Sequence, residues 1–392
     1  MERVKLKEAR QAKSVHEGRK LSQEDVADAI GCSREAYSLW ERGLSDPQDH
    51  WVDRLLKYFD VANPKDLDIE KTTAPRRQVL QMIVGAGATG ALMSFGNTTL
   101  SPERFLRQCN VSINACWELL KYGSYTAIES TLAEYVPTLS SLAEDSSRIQ
   151  TMAASLTTQA KLLQIKLATR NGDFIGRQLL CSEAVQFGEL SGDPFLYPAA
   201  LFWHGDTYVY CYRQPEKAIG LFKDGMKKGS MLLKSKFSMN LAIAEALQGN
   251  ETNALKYVEQ AEKVIPKYPE QDPAYPYVDI TQGKLEKQMG RIYLALAEHS
   301  PGYAKKARDL FEEGISKCGS NRGDLGQTLI HKADAACIIG DLHEYVKSLS
   351  DGMSIAVGMQ EIDLQQEAQA VFNKVRSEWK HEQVYQELLE MF

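Results

Sequence analysis

From Ser101 to Phe392 the chain reads as a long succession of amphipathic helices, interrupted at intervals by short turn signals. The interruptions are Gly123-Ser124, Gly172-Asp173, Gln214-Pro215, Gly249-Asn250, Ser300-Pro301-Gly302 and Gly340-Asp341. Between them apolar residues recur at helical spacing, so the chain is organised as helices paired across turns. One such hairpin cannot bury its apolar stripe alone. Stacked hairpins can, each covering the next, and the stack curves into a superhelix. This predicts an all-α protein in which six hairpins and a closing C-terminal pair fill residues 101–392.

Small residues mark where helices should touch. The clearest copy is Leu241-Ala242 with Gly249, Ala254, Val258, Ala261 and Pro266. Its small side chains let the two helices approach, and the proline stops the second. Gly290-Arg291-Ile292-Tyr293 with Ala307, Phe311 and Gly314 is a second copy on a longer hairpin, and Ala218, Phe222 and Gly225 mark a third. On these residues the segment resembles a tetratricopeptide-repeat array, whose simplest unit is about 34 residues. The resemblance implies that the first helix of each pair lines the concave surface. That surface would present Lys236, Met239, Asn240 and Ile243, then Lys284, Lys287 and Arg291, then Gln327, His331 and Asp334. The candidate ligand-binding residues are therefore Lys236, Asn240, Lys284, Lys287, Arg291 and Gln327. The stripe of Lys284, Lys287 and Arg291 shares one helix face and suits a carboxylate, although a merely solvated charged face has the same pattern. Asn240 can pair with a peptide backbone through both donor and acceptor. Trp203 and His204 read as core and rim.

The N-terminal segment is written differently. Val4 to Lys13 predicts a helix with Val4, Leu6 and Ala9 inward, followed by a polar stretch over 14–20. Ser22 can cap a second helix, with Glu24 and Asp25 in its first turn, and Gly31 supplies a left-handed turn. Ser33 caps a third helix that ends at Gly43. Trp51, Val52, Leu55, Leu56 and Phe59 form an amphipathic helix that closes a five-helix core, and Asn63-Pro64 marks its end. Two short helices joined by a glycine turn, the second with a polar face, fit the major groove of DNA.

The run from Leu21 to Gly43, with its trailing Trp40-Glu41-Arg42-Gly43 and Asp46-Pro47, resembles the XRE family of phage-repressor-like helix-turn-helix domains over about residues 4–70. The main departure is the longer stretch between Arg10 and Leu21, which predicts a longer loop between the first two helices. The resemblance implies that Gln23 meets a backbone phosphate, and that Ser33, Arg34, Glu35, Ser38 and Leu39 belong to the DNA-facing set. Arg34 would clamp guanine, Glu35 would accept from a cytosine amino group, and Leu39 would meet a thymine methyl. It also implies that Tyr37 and Trp40 are core, that Glu41 pairs with Arg10, and that the protein works as a dimer on two half-sites of duplex DNA.

Charge does not advertise this partner. The chain carries a net −6, and residues 1–70 hold 12 Lys/Arg against 15 Asp/Glu. Seven bases gather in the first 20 residues, so any phosphate grip is local and salt-sensitive. The seven cysteines are scattered, with no Cys-x-x-Cys, and read as reduced thiols of a cytoplasmic protein. The chain opens on a charged helix rather than a signal peptide. No phosphate loop with its lysine, metal-spaced His/Cys cluster or Gly-x-Ser-x-Gly elbow appears, so no catalytic residue, cofactor or metal is expected.

Residues 71–100 hold three decoys. Gly85-x-Gly87-x-x-Gly90 matches the dinucleotide fingerprint by letter, but no parallel-strand pattern follows it. Arg76-Arg77 before an apolar run imitates an export signal, although it follows a DNA-binding pattern. The run from Val79 to Phe95 sits at the lower limit for crossing a membrane and contains Gln81. Membrane contact over 76–96 is thus one reading, and a hinge helix between a domain at 1–70 and a solenoid at 101–392 is the other. A helix-turn-helix before a long repeat array resembles the RRNPP group of quorum-sensing regulators, which implies a transcriptional regulator controlled by a peptide or protein segment in the concave groove. The alternative is a tethered or soluble repeat scaffold, with DNA binding secondary.

Overall fold

The computed structural model describes residues 4–16, 18–32, 34–41, 49–61, 64–67, 101–121, 124–278, 283–318 and 321–389. It divides into two compact units, Met1–Leu92 and Met93–Phe392. The fold is all-α, with no strand among the described residues. The stretch holding the glycine fingerprint, the paired arginines and the apolar run lies outside them.

The first unit contains α1 (Val4–His16), α2 (Gln23–Ile30), α3 (Arg34–Glu41), α4 (Asp49–Phe59) and a 3-10 turn at Pro64–Leu67. Leu6, Val26, Ala27, Ile30, Tyr37, Trp40, Val52, Leu55 and Leu67 form one core. Helix α1 runs three residues beyond Lys13, so the extra length before Leu21 is taken up partly as helix. Ser14 explains the arrangement: its hydroxyl donates to Arg19 O and accepts from Leu21 N, tying the end of the helix across the short connection.

The second unit is a solenoid. Its hairpins are α5 (Pro102–Lys121) with α6 (Tyr125–Glu144), α7 (Gln150–Arg170) with α8 (Phe174–Ser191), and α9 (Leu196–Tyr210) with α10 (Pro215–Lys228). There follow α11 (Met231–Leu247) with α12 (Glu251–Val264), α14 (Lys284–Ala297) with α15 (Tyr303–Lys317), and α16 (Arg322–Ile339) with α17 (Leu342–Met359). A last pair, α18 (Ile362–Asn373) and α19 (Gln383–Leu389), closes the stack, and a short insert containing α13 (Tyr275–Val278) precedes α14. Each turn signal in the sequence falls between the two helices of one hairpin. Asp173 and Asp341 cap the second helices of their hairpins by accepting from Gly176 N and Glu344 N.

Small residues set how closely paired helices approach. A Cβ on Gly290 would come within 2.5 Å of the Phe311 ring, and one on Gly205 within 2.3 Å of the Phe222 ring. Both phenylalanines are fully buried. At the C-terminal end Trp379, Tyr385 and Leu388 pack onto Tyr345, so the last repeat does not present a bare apolar face.

The first helix of each hairpin contacts the first helix of the next, from α7 through α9, α11, α14 and α16 to α18. Helix α18 then meets α7 again. Arg170 donates to Met359 O at 3.0 Å, and a Cβ on Gly172 would lie 3.1 Å from the Ile362 side chain. The six inner helices therefore make a closed circuit. The insert joins this interior: Trp203 Nε1 donates to Tyr277 O at 2.9 Å, and the Tyr277 and Trp117 rings meet edge-on at 5.6 Å.

If Gly290 is kept for contact, Gly290→Ala should lower the urea unfolding free energy by about 1–3 kcal/mol through overpacking. Gly220, in mid-helix, is the control, because a Cβ added there would meet nothing within 4 Å. Gly220→Ala should leave stability unchanged or raise it by up to about 1 kcal/mol. Equal effects of the two changes on the unfolding midpoint would refute the contact explanation.

Candidate functional site

Two surfaces carry the candidate residues, one in each unit. In the first, Ser22 caps α2 by accepting from Asp25 N, and the Asp25 carboxylate in turn accepts from Ser22 N, forming a capping box. Gly31 ends α2 at φ +79°, a conformation that strains any side chain with a Cβ, and Cys32 N donates back to Ala27 O at 2.9 Å. The chain then enters α3 in a new direction. Tyr37, Trp40 and Glu41 are the buried side of α3, whereas Arg34 is exposed and Ser38 half-buried. Arg34 thus stands exposed at the start of α3, and Ser38, one turn on, lies at the edge of the buried stripe. Ser33 and the side chains of Glu35 and Leu39 lie outside the described residues.

One charged pair holds this helix in place. Arg10 donates from Nε to Glu41 Oε1 at 2.7 Å and from Nη2 to Oε2 at 3.1 Å. Arg10 Nη1 also donates to Leu21 O, and Gln23 Nε2 donates to Glu41 Oε2 at 2.7 Å. The pair thus ties α1, the start of α2 and α3 together. Burial opposes charge on Glu41, but the hydrogen bonds from Arg10 and Gln23 outweigh it and hold the carboxyl below the usual glutamate range. Gln23 consequently has part of its amide committed inside the domain, which leaves its remaining polar atoms for any external partner.

In the second unit the closed circuit surrounds a cavity of about 750 Å³. Lys236, Lys284, Lys287, Arg291 and Gln327 all line it, together with His331 and Asp334. Asn240 does not. It is fully buried, with Nδ2 donating to Asp206 Oδ1 at 3.2 Å and Oδ1 accepting from Gln288 Nε2 at 3.1 Å, so both ends of its amide are used within the protein. Met239 is likewise core.

Much of the lining charge is already paired. Lys287 Nζ lies 2.5 Å from Asp324 Oδ1, and Lys284 shares the same carboxylate at 3.3 Å. Burial pushes the Lys287 ammonium down, against the pull of Asp324. Lys287 also donates to Gln327 Oε1, whose Nε2 donates to Glu367. A second network runs from Arg177 to Asp206 at 2.5 Å, on to Asn240 and Gln288, and ends at the Tyr210 hydroxyl. Arg291 stacks on Tyr210 with Cζ 3.8 Å from the ring centroid. Sequence spacing does not single out Arg177, Asp206, Tyr210, Glu367 or Lys374. Their one legible trace is a charged or aromatic residue interrupting an otherwise small or apolar helix.

Where α18 meets α7, Glu361 and Asp363 face the cavity beside Arg170 and Tyr125. Burial, then the neighbouring Glu361, pushes the Asp363 carboxyl up to about 7, and its Oδ1 has no hydrogen-bond partner. All seven cysteines are free thiols.

The helix-turn-helix family model matches residues 6–62. That match supports DNA binding of the kind regulators carry for these residues, and it covers the anchored α2–α3 pair described above. No curated protein matches the chain. Among the described residues no helix is long and apolar enough to cross a membrane.

Glu41→Ala should strand Arg10 in a partly buried site and destabilise the first unit by about 3 kcal/mol. Because the carboxyl is depressed in the folded state, that contribution is complete above about pH 5 and disappears as pH falls through and below the ordinary glutamate range. Urea titrations of wild type and variant should accordingly converge toward pH 3. Asp363 has the opposite sign, since its folded-state affinity for a proton is raised. Stability should fall as pH rises from about 4 to about 7 and then level, and Asp363→Asn should abolish this step. At pH 8 the variant should be the more stable by about 1–2 kcal/mol, a figure reduced from the full shift because the residue is only half-buried. A variant less stable than wild type at pH 8 would show that Asp363 is held by a partner as an anion.

Proposed function

We propose that the protein is a sequence-specific transcriptional regulator of the cytoplasm, binding duplex DNA as a homodimer and controlled by a short peptide or protein segment taken into the solenoid cavity. The observation that carries the first half is the exposed Arg34 at the start of α3, a helix anchored at its far end by the pairing of Glu41 with Arg10. A rigidly held short helix with an exposed arginine at its start is what base-edge reading requires, because a guanidinium can address guanine O6 and N7 together. Glu35 and Leu39 belong to the same helix and complete the reading set. Gln23, at the start of α2, and the bases of α1 supply phosphate contacts, with Ser33 at the N-terminus of α3. Two copies would address half-sites about one helical turn apart.

The second half is supported by the closed circuit of inner helices and the charged cavity it encloses. Pockets of about 300–1,000 Å³ bury most of a small ligand. A volume of about 750 Å³ therefore suits a peptide of a few residues, and a longer segment would need the contacts of α7 with α18 and with the end of α17 to open. A solenoid sums small rotations between repeats, so a ligand that favours one pitch changes the whole.

The reading is tested by selection of binding sites from random duplex DNA with the full-length protein. Enrichment of a two-fold-symmetric site is expected. Arg34→Ala should weaken binding to that site by about 1–3 kcal/mol, roughly ten- to a hundred-fold, with little change on unrelated DNA. Failure to enrich any sequence, or an Arg34→Ala variant with unchanged selectivity, would overturn it.

A further inference from the structure

The seam that closes the circuit gathers more carboxylates than cations. Glu361 precedes α18, Asp363 and Glu367 lie in its first two turns, and all three line the cavity. The cation beside them is Arg170 at the end of α7, and it is committed elsewhere. Its Nη2 donates to Met359 O at 3.0 Å, and its Cζ lies 4.2 Å from the centroid of the Tyr125 ring. No carboxylate of the described residues is within ion-pair distance of it. The seam is therefore held by one hydrogen bond to a helix-terminal carbonyl and by the packing of Ile362 against Gly172.

Asp363 is the least provided for of these groups, since its Oδ1 is buried without a hydrogen-bond partner. The titratable and charged groups around it are Glu361 and Glu367 on its own segment, Tyr125 at the start of α6, Arg170 on α7 and Cys211 at the end of α9. Asp324 on α16 adds its charge at Glu361. Burial, then the charge of Glu361, pushes the Asp363 carboxyl up to about 7, and the amides of Leu364 and Asp363 oppose this only in part. Burial also raises Glu361, against the pull of Arg170. Parting α18 from α7 would return Asp363 to water, where an aspartate ionises in its ordinary range. A proton thus binds the closed seam more tightly than the open one, and by linkage it favours closure.

We propose that Asp363 is a proton-operated latch on the circuit: with its carboxyl neutral the α7–α18 seam stays shut, and ionisation beside Glu361 loosens it. Closure is strongest below the ordinary aspartate range, weakens as pH rises from about 4 to about 7, and levels above that. Between pH 6 and pH 8 the open fraction rises about tenfold. The latch acts on the seam alone, so it holds whatever the cavity takes.

The test is amide hydrogen exchange of the full-length protein at pH 6 and pH 8, read by mass spectrometry, with exposure times scaled for the intrinsic exchange rate at each pH. Protection over residues 168–176 and 359–366 should fall about tenfold from pH 6 to pH 8, while the hairpin of α11 and α12 holds its protection. Asp363→Asn should keep at pH 8 the protection that wild type shows at pH 6. Glu361→Gln, which removes the neighbouring charge, should shrink the loss. Equal protection of the seam at the two pH values in wild type would overturn the latch. So would greater protection at pH 8, which would mean that the ionised Asp363 takes Arg170 as a partner and tightens the seam. A wild-type response that persists in Asp363→Asn would overturn the assignment to this residue. The wild-type comparison needs no variant, so a misfolded substitution does not blunt it.

Discussion

The contact between α7 and α18 decides what kind of object the solenoid is. An open array of hairpins offers a wet groove in which charged side chains cost little to hold. Once Arg170 on α7 reaches Met359 O at the end of α17, and the Ile362 side chain of α18 lies close to Gly172, the two ends of the array meet around one cavity. Charges gathered on the inner helices then gain from a partner, because isolated buried charge is expensive. The pairs Lys287–Asp324, Arg177–Asp206 and Lys374–Asp334 are the response, each linking successive repeats around the circuit. Closure and pairing thus require one another.

The first unit obeys the same rule at smaller scale. Its core is one modest cluster, and a domain of this size has little stability to spare. The Arg10–Glu41 pair reaches from α1 to α3 and recruits Gln23 on α2, so three helices meet on one carboxylate. Tyr37 is fully buried on the same side of α3, and burial together with the Glu41 charge keeps its hydroxyl protonated. The polar face of α3 is free to point outward because these inward residues use up the other side. Orientation of the outward face is therefore set by the buried one.

The sequence shows local matters well and closure not at all. Ser22, Gly31, the Gly172-Asp173 and Gly340-Asp341 turns and Gly290 opposite Phe311 are legible, because capping, left-handed turns and close helix approach depend on a few neighbouring positions, whereas Gly205 opposite Phe222 is not singled out by spacing. The order of hairpins follows from them. The extension of α1 to His16 was hidden because Ser14 and Val15 read equally well as linker, and only the bonds to Arg19 and Leu21 make them helix. Asn240 shows the harder limit. Its position on the inner face is periodic and legible, but its partners Asp206 and Gln288 lie 34 and 48 residues away. The meeting of Arg170 with Met359 spans 189 residues, and no window of sequence reports it.

These pairings also constrain how any ligand can bind. An anion placed on Lys287 would have to displace Asp324, leaving a buried carboxylate without its cation, so the exchange gains little. An anion placed on Arg291 displaces no ion pair, only the weaker freedom of a stacked guanidinium. The same reasoning applies to Asn240, whose amide could serve a peptide only by abandoning Asp206 and Gln288 together. Any binding within the closed circuit would therefore be selective by subtraction: the groups that remain available are those the repeats do not need to hold one another. A ligand that instead competes for the paired groups must loosen contacts between repeats, and through them the pitch of the stack. A ligand of this interior would therefore either fit the closed circuit or open it, and the difference lies in which carboxylates it leaves without partners.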